Sequence, residues 1–94
     1  MALAWPFKDP DEVLDYGVDW DDRVESDEIE ASAWSFATDP DGALVVDSSE
    51  FGALGTTVWL SGGTLGETYA LTNHITTAVG REMDQTVKLK IKAK

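Results

Sequence analysis

The stretch Gly66-Glu-Thr-Tyr-Ala-Leu-Thr-Asn-His-Ile-Thr-Thr-Ala-Val-Gly-Arg-Glu-Met-Asp-Gln-Thr-Val-Lys-Leu-Lys-Ile-Lys92 decides the fold class. From Glu67 to Ala78 it alternates: Tyr69, Leu71, Asn73, Ile75 and Thr77 on one side, Thr68, Ala70, Thr72, His74 and Thr76 on the other. The first set is the more apolar and is expected to face a core. Val79-Gly80-Arg81 reads as a hairpin connection, with Gly80 free to adopt positive φ. Beyond it, Met83, Gln85, Val87, Leu89 and Ile91 point one way; Asp84, Thr86, Lys88, Lys90 and Lys92 point the other. One apolar face and one wet face is the pattern of an antiparallel sheet.

Upstream segments agree. Thr56-Thr-Val-Trp-Leu-Ser61 is β-branched and aromatic and stops at Gly62-Gly63. Ala43-Leu-Val-Val46 reads as a short buried strand, and Asp39-Pro-Asp-Gly42 as a turn in which Pro presets φ and Asp caps its own backbone. Over Asp27–Phe36 the reading sets Ile29, Ala31 and Ala33 against Glu30, Ser32, Trp34 and Phe36. Leu14, Tyr16, Val18 and Trp20 fall at period two. Helical spacing also partly fits Val13–Trp20, but Gly17 and the Asp residues count against it. Six to seven short strands with turn signals between them predict an all-β fold, a small Ig-like antiparallel β-sandwich over residues 13–94.

Residues 1–12 are set apart as an extended N-terminal arm. Pro6 and Pro10 hold their neighbours extended and remove backbone donors, so the arm is expected to be stiff and poor at joining its own sheet. Trp5 and Phe7 are too apolar to leave in water, so the arm packs on its own domain or on a neighbour. Stiffness favours the neighbour, because less entropy is lost on docking.

Composition excludes several functions. Ninety-four residues leave room for one domain. With no cysteine there is no disulfide, thiolate metal site or Cys nucleophile. The first ten residues lack the basic start and apolar run of a secretion signal, and no apolar stretch approaches membrane-spanning length, so a soluble, non-exported protein is expected. The net charge of −11 divides unevenly, −13 over residues 1–50 and +2 over 51–94. Such a field argues against nucleic acid and anionic membranes as partners. The terminal Lys-x-Lys-x-Lys-x-Lys is the only basic stripe.

Two resemblances follow from particular residues. Gly66-Glu-Thr-Tyr69, the Gly80 hairpin and the alternating last strand resemble the closing strands of PKD and bacterial Ig-like domains, although the usual motif is Gly-x-Tyr. That resemblance implies a tyrosine corner, with the Tyr69 hydroxyl bonded to upstream backbone. More specifically, three blocks resemble the fiber–tail adaptor proteins encoded among head and tail genes of tailed phages. These are Trp5-Pro-Phe-Lys-Asp-Pro-Asp-Glu12 with Leu14-Asp-Tyr16 and Asp19-Trp20; Thr56–Thr64; and Tyr69-Ala-Leu-Thr-Asn73 with Ile75–Thr77 and Gly80-Arg81. This implies a virion structural protein, synthesised in the bacterial host cytoplasm, that links tail or neck proteins to fibers and acts as a ring-like homo-oligomer. A head decoration or cement protein and a carbohydrate-binding β-sandwich are the competing readings.

No catalytic, cofactor or metal residues are expected. His74 is the only histidine and lies on the Thr-rich face, so neither a Ser-His-Asp arrangement nor a His-x₃-His metal pair can be built. Asp19-Trp-Asp-Asp22 and Asp39-Pro-Asp-Gly42 offer oxygens suited to Ca²⁺, but neither continues into an EF-hand loop, and turn chemistry explains them. Gly62-Gly-Thr-Leu-Gly66 lacks the lysine of a phosphate loop. The candidate partner-binding residues are Trp5, Phe7, Trp59, Lys88, Lys90 and Lys92. Trp59 shares its face with Thr57 and Ser61, so it is either an interface anchor or a cap on a second side of the core. The acidic half is expected to meet either a neighbouring copy's lysine stripe or a basic surface on the particle.

Overall fold

In the computed structural model, which describes residues 3–24 and 26–94, the alternating segments are strands. Met1 and Ala2 of the arm, and Glu25 in the acid-rich stretch Asp19–Glu30, lie outside the described residues. In chain order the elements are β1 (Leu3–Ala4), β2 (Leu14–Asp19), α1 (Asp21–Val24), β3 (Ile29–Thr38), β4 (Leu44–Phe51), β5 (Gly55–Gly62), β6 (Thr68–Thr77) and β7 (Glu82–Lys90). They form a four-stranded sheet ordered β1-β7-β6-β3 and a three-stranded sheet ordered β2-β5-β4. All pairings are antiparallel except β1 with β7, which is parallel.

The inward faces of β6 and β7 follow the alternation. Tyr69, Leu71, Asn73, Ile75 and Thr77 are buried, as are Val87, Leu89 and Ile91. One apolar cluster gathers Tyr16, Leu44, Val58, Leu60, Tyr69, Leu71, Leu89 and Ile91; a second gathers Val18, Trp20, Val24, Ile29, Ile75 and Val87. Trp5 and Trp34 pack against both clusters, with ring centroids 5.8 Å apart. Between the sheets Asn73 uses its whole amide. Its Oδ1 accepts from Trp20 Nε1 (2.9 Å) and Thr56 Oγ1 (2.6 Å), and its Nδ2 donates to Ser32 Oγ (2.9 Å) and the Ala33 carbonyl (3.1 Å). A buried amide satisfied at every position stabilises the sandwich, whereas an unsatisfied one would destabilise it.

Three segments differ from what the alternation predicts. In β3 the register shifts between Ile29 and Ala31. Ile29 is buried, but beyond this bulge the inward side passes to Ser32, Trp34 and Phe36, and Ala31 and Ala33 are exposed. The two aromatic rings bury more apolar area than the alanines they displace. The short buried strand expected at Ala43–Val46 is an eight-residue edge strand: Leu44 is buried, Val46 half-buried and Val45 exposed.

The N-terminal segment is extended, as its prolines require, yet it joins its own sheet. The Trp5 amide donates to the Lys88 carbonyl (2.9 Å) and the Lys8 amide to the Lys90 carbonyl (3.1 Å); the Lys92 amide donates to the Lys8 carbonyl (2.9 Å). Neither proline occupies a position whose amide is needed for these bonds. The Lys8 side chain is fully buried, and its Nζ donates to the Gly62 carbonyl (2.7 Å) and the Asp9 carbonyl (2.9 Å). Burial pushes the Lys8 amine below its usual range, and the carboxylates of Glu12, Asp9, Asp11 and Asp47 oppose that shift. Gly62, at φ +76°, has no alternative residue, since a Cβ there would collide with the Ala43 carbonyl.

Candidate partner-binding surfaces

The two sheets turn chemically different faces outward. On the three-stranded sheet, β5 runs in the middle and presents Thr57, Trp59 and Ser61. Trp59 stands opposite Asp15 of β2 and Ser48 of β4, and its side chain is 39% exposed. Asp15, Asp19, Asp47 and Glu50 are exposed on the flanking strands, and β2, β4 and β5 carry no Lys or Arg. Ser61 Oγ donates to Asp47 Oδ1 (3.0 Å). The face is therefore anionic around one large aromatic ring, a side-chain type enriched at interface hot spots. The Trp59 ring lies outward in solvent and does not close a second side of the core.

The outer face of the four-stranded sheet is mixed. Along β7, Lys88 is exposed and Lys90 is half-buried, its Nζ bonded to the Gly66 carbonyl (2.9 Å). Lys92 Nζ lies 4.1 Å from the centroid of the Phe7 ring, a cation–π contact, and Phe7 is 48% exposed. Phe7, Lys88, Lys90 and Lys92 thus gather at the β1–β7 margin. Trp5 does not join them. Its ring stacks on Tyr16 (4.9 Å, 25°), and its Nε1 donates to the Gly17 carbonyl (3.0 Å), so the indole closes the space between the sheets.

Further along this face His74 bridges two carboxylates, with Nδ1 2.6 Å from Asp84 Oδ1 and Nε2 3.0 Å from Glu82 Oε1. Those hydrogen bonds, Asp84 first, raise the imidazole pKa above its usual value. On the Thr-rich face where the alternation puts His74, the register His74↔Asp84 is what brings the group together. Among the described residues no cluster is fit to hold a metal ion. The Asp39–Gly42 turn forms as read, with the Gly42 amide donating to Asp39 Oδ1 (2.9 Å) and the Ala43 amide to Asp41 Oδ1 (3.1 Å). Asp41 also accepts from the Thr64 hydroxyl and, at 2.6 Å, from the Tyr69 hydroxyl, and these bonds hold its carboxyl below the usual range. Tyr69 in turn accepts from the Thr64 amide (3.0 Å), the upstream backbone bond of a tyrosine corner. This lock fixes the loop at one end of both sheets.

Comparison with known proteins bears on both fold and family. Residues 8–90 match the family model of the podophage GP4 fiber-tail adaptor protein gp77. No curated protein matches the chain. Among solved structures it is similar to the PKD domain from the KIAA 1837 protein, with a TM-score of 0.54 and 19% identity, covering 99% of this chain and 79% of that one. At such identity the likeness speaks for the fold alone, an Ig-like sandwich.

Proposed function

Since the chain belongs to the podophage fiber–tail adaptor family, we propose that it joins tail or neck proteins to fibers through protein–protein contacts, without catalysis. The observation that carries this reading is the opposition of the two outer faces. A connector must hold unlike neighbours on separate surfaces. Here an acidic sheet centred on Trp59 lies across the sandwich from the Phe7–Lys92 margin with Lys88 and Lys90. Where a neighbour is another copy, the acidic face of one meets the lysine stripe of the next, a heterologous contact that closes a ring when the rotation permits. The chain is made in the host cytoplasm and carried in the virion. Its charge of −11 opposes binding to nucleic acid or to anionic membranes.

The test is the protein content of purified particles bearing two separate variants, Trp59→Ala and the triple reversal Lys88→Glu, Lys90→Glu, Lys92→Glu. Each is expected to remain folded and to lose a different contact, one releasing fibers and the other the adaptor itself. Particles of normal composition from either variant would refute the two-faced connector.

A further inference from the structure

A β-sandwich has four sheet edges, and here three are blunted. Among the described residues β1 spans only Leu3–Ala4. β2 carries Asp15 and Asp19, and its Gly17 carbonyl already accepts the Trp5 indole. β4 is broken by a register shift between Val46 and Ser48 and carries Asp47 and Glu50. Short length, charge and bulges are the usual protections of an exposed edge. The fourth edge, β3, has ten residues, and its irregularities sit only near its ends, between Ile29 and Ala31 and between Phe36 and Thr38. From Ala31 to Thr38 it carries no charge and no proline. Among the described residues, the one backbone–backbone bond that takes β3 outside its ladder with β6 is Ile29 N–H to the Ala53 carbonyl (2.8 Å).

We propose that the free edge of β3 is a strand-addition site for an extended segment of another virion protein bearing Lys or Arg at its ends. This rests on the adaptor reading for where the partner is found. The ends of β3 determine the partner's charge. Glu28 and Glu30 lie at one end and Asp39 at the other, all exposed. A second copy pairing antiparallel about Trp34 would bring Glu28 and Glu30 against the other copy's Asp39, and parallel pairing would set each acid beside its twin. Like charges opposite one another destabilise a strand pair. A foreign strand with basic ends meets attraction at both. Its inward side chains would cover Trp34 and Phe36, which are half-buried at this margin. Its outward side chains would lie beside Ala31, Ala33 and Ser35, small residues that leave room. Main-chain bonds would supply affinity and the alternating contacts specificity, as in other strand additions. Without that partner, terminal acids and a net charge of −11 keep the edge from pairing with itself.

Amide hydrogen exchange on the free protein and on intact particles tests this. Over Ala31–Ala37, amides facing away from β6 should exchange rapidly in the free protein and about 100-fold more slowly in the particle, with the β4 edge unchanged. A Ser35→Lys variant, which places a cation in the middle of the edge, should keep its thermal midpoint and lose incorporation. Equal β3 exchange in both states, or normal incorporation of Ser35→Lys, overturns the proposal. So does protection that appears in the free protein with rising concentration and a dimer mass, because the occupant is then a second copy. If β3 stays unprotected while the two face variants still detach their partners, the connector role stands and strand addition fails.

Discussion

Asn73 is the side chain whose loss should be felt most for its size. Replacing it with Leu keeps the volume but leaves the Trp20 indole N–H and the Thr56 hydroxyl without an acceptor between the sheets. The expected loss is about 3 kcal/mol, since each orphaned buried group costs about 1–3 kcal/mol. Urea unfolding of Asn73→Leu measures it, and a change within experimental error would show that water replaces the amide. His74 makes a different prediction. Its folded pKa is raised, so its contribution is fully present below the unfolded value near 6.5 and is lost as pH climbs through the folded value. The stability advantage of wild type over His74→Ala should therefore be larger near about pH 5.5 than near about pH 9. A difference independent of pH would mean that the imidazole acts by packing and not by charge.

At the scale of elements, the N-terminal segment carries the sharpest test. Deleting residues 1–8 removes Trp5 from its stack on Tyr16 and withdraws the Lys8 amine from the Gly62 carbonyl. The isolated domain should lose at least about 3 kcal/mol, the scale of a large-to-small aromatic truncation in a core. An unchanged thermal midpoint would return the segment to the role of a free arm. On β7, Leu89→Asp and Ile91→Asp each place an unpaired charge at a fully buried position and should prevent folding, as seen by loss of the sheet circular dichroism signal. The faces of β2, β6 and β7 were legible in the sequence because period-two alternation there runs unbroken across strands with one wet side. In β3 a single extra residue reverses which set faces inward, and nothing local in Ile29-Glu-Ala-Ser-Ala-Trp announces it. β1 was illegible for another reason. Two residues are too few to show a period, and the parallel bond partners lie more than eighty residues away. The basic margin was visible as a stripe, whereas the acidic Trp59 face was not, because Asp15, Asp47 and Glu50 converge on it only through the β2-β5-β4 order.

For the whole molecule, the proposed contacts make the separation of charge across the sandwich a determinant of association. Exposed faces of this kind act mainly on encounter rate and are screened over about 8 Å at physiological salt. Assembly of purified adaptor onto adaptor-free particles should slow as salt rises, and the triple lysine reversal should be slow at every salt concentration. Salt-indifferent assembly would assign recognition to Trp59, with charge as a bystander.

The parallel pairing of the first strand with the last also sets how the domain bears mechanical load. Tension applied at the two chain ends pulls these strands in opposite directions along their length. The bonds of Trp5 and Lys8 to β7, and of Lys92 back to Lys8, are then sheared together, not peeled one at a time. A clasp loaded in shear must break all its bonds at once and so yields abruptly, at higher force than one peeled open from an end. Stretching single molecules from both ends should give one sharp rupture, and removing residues 1–8 should replace it with a gradual, low-force opening.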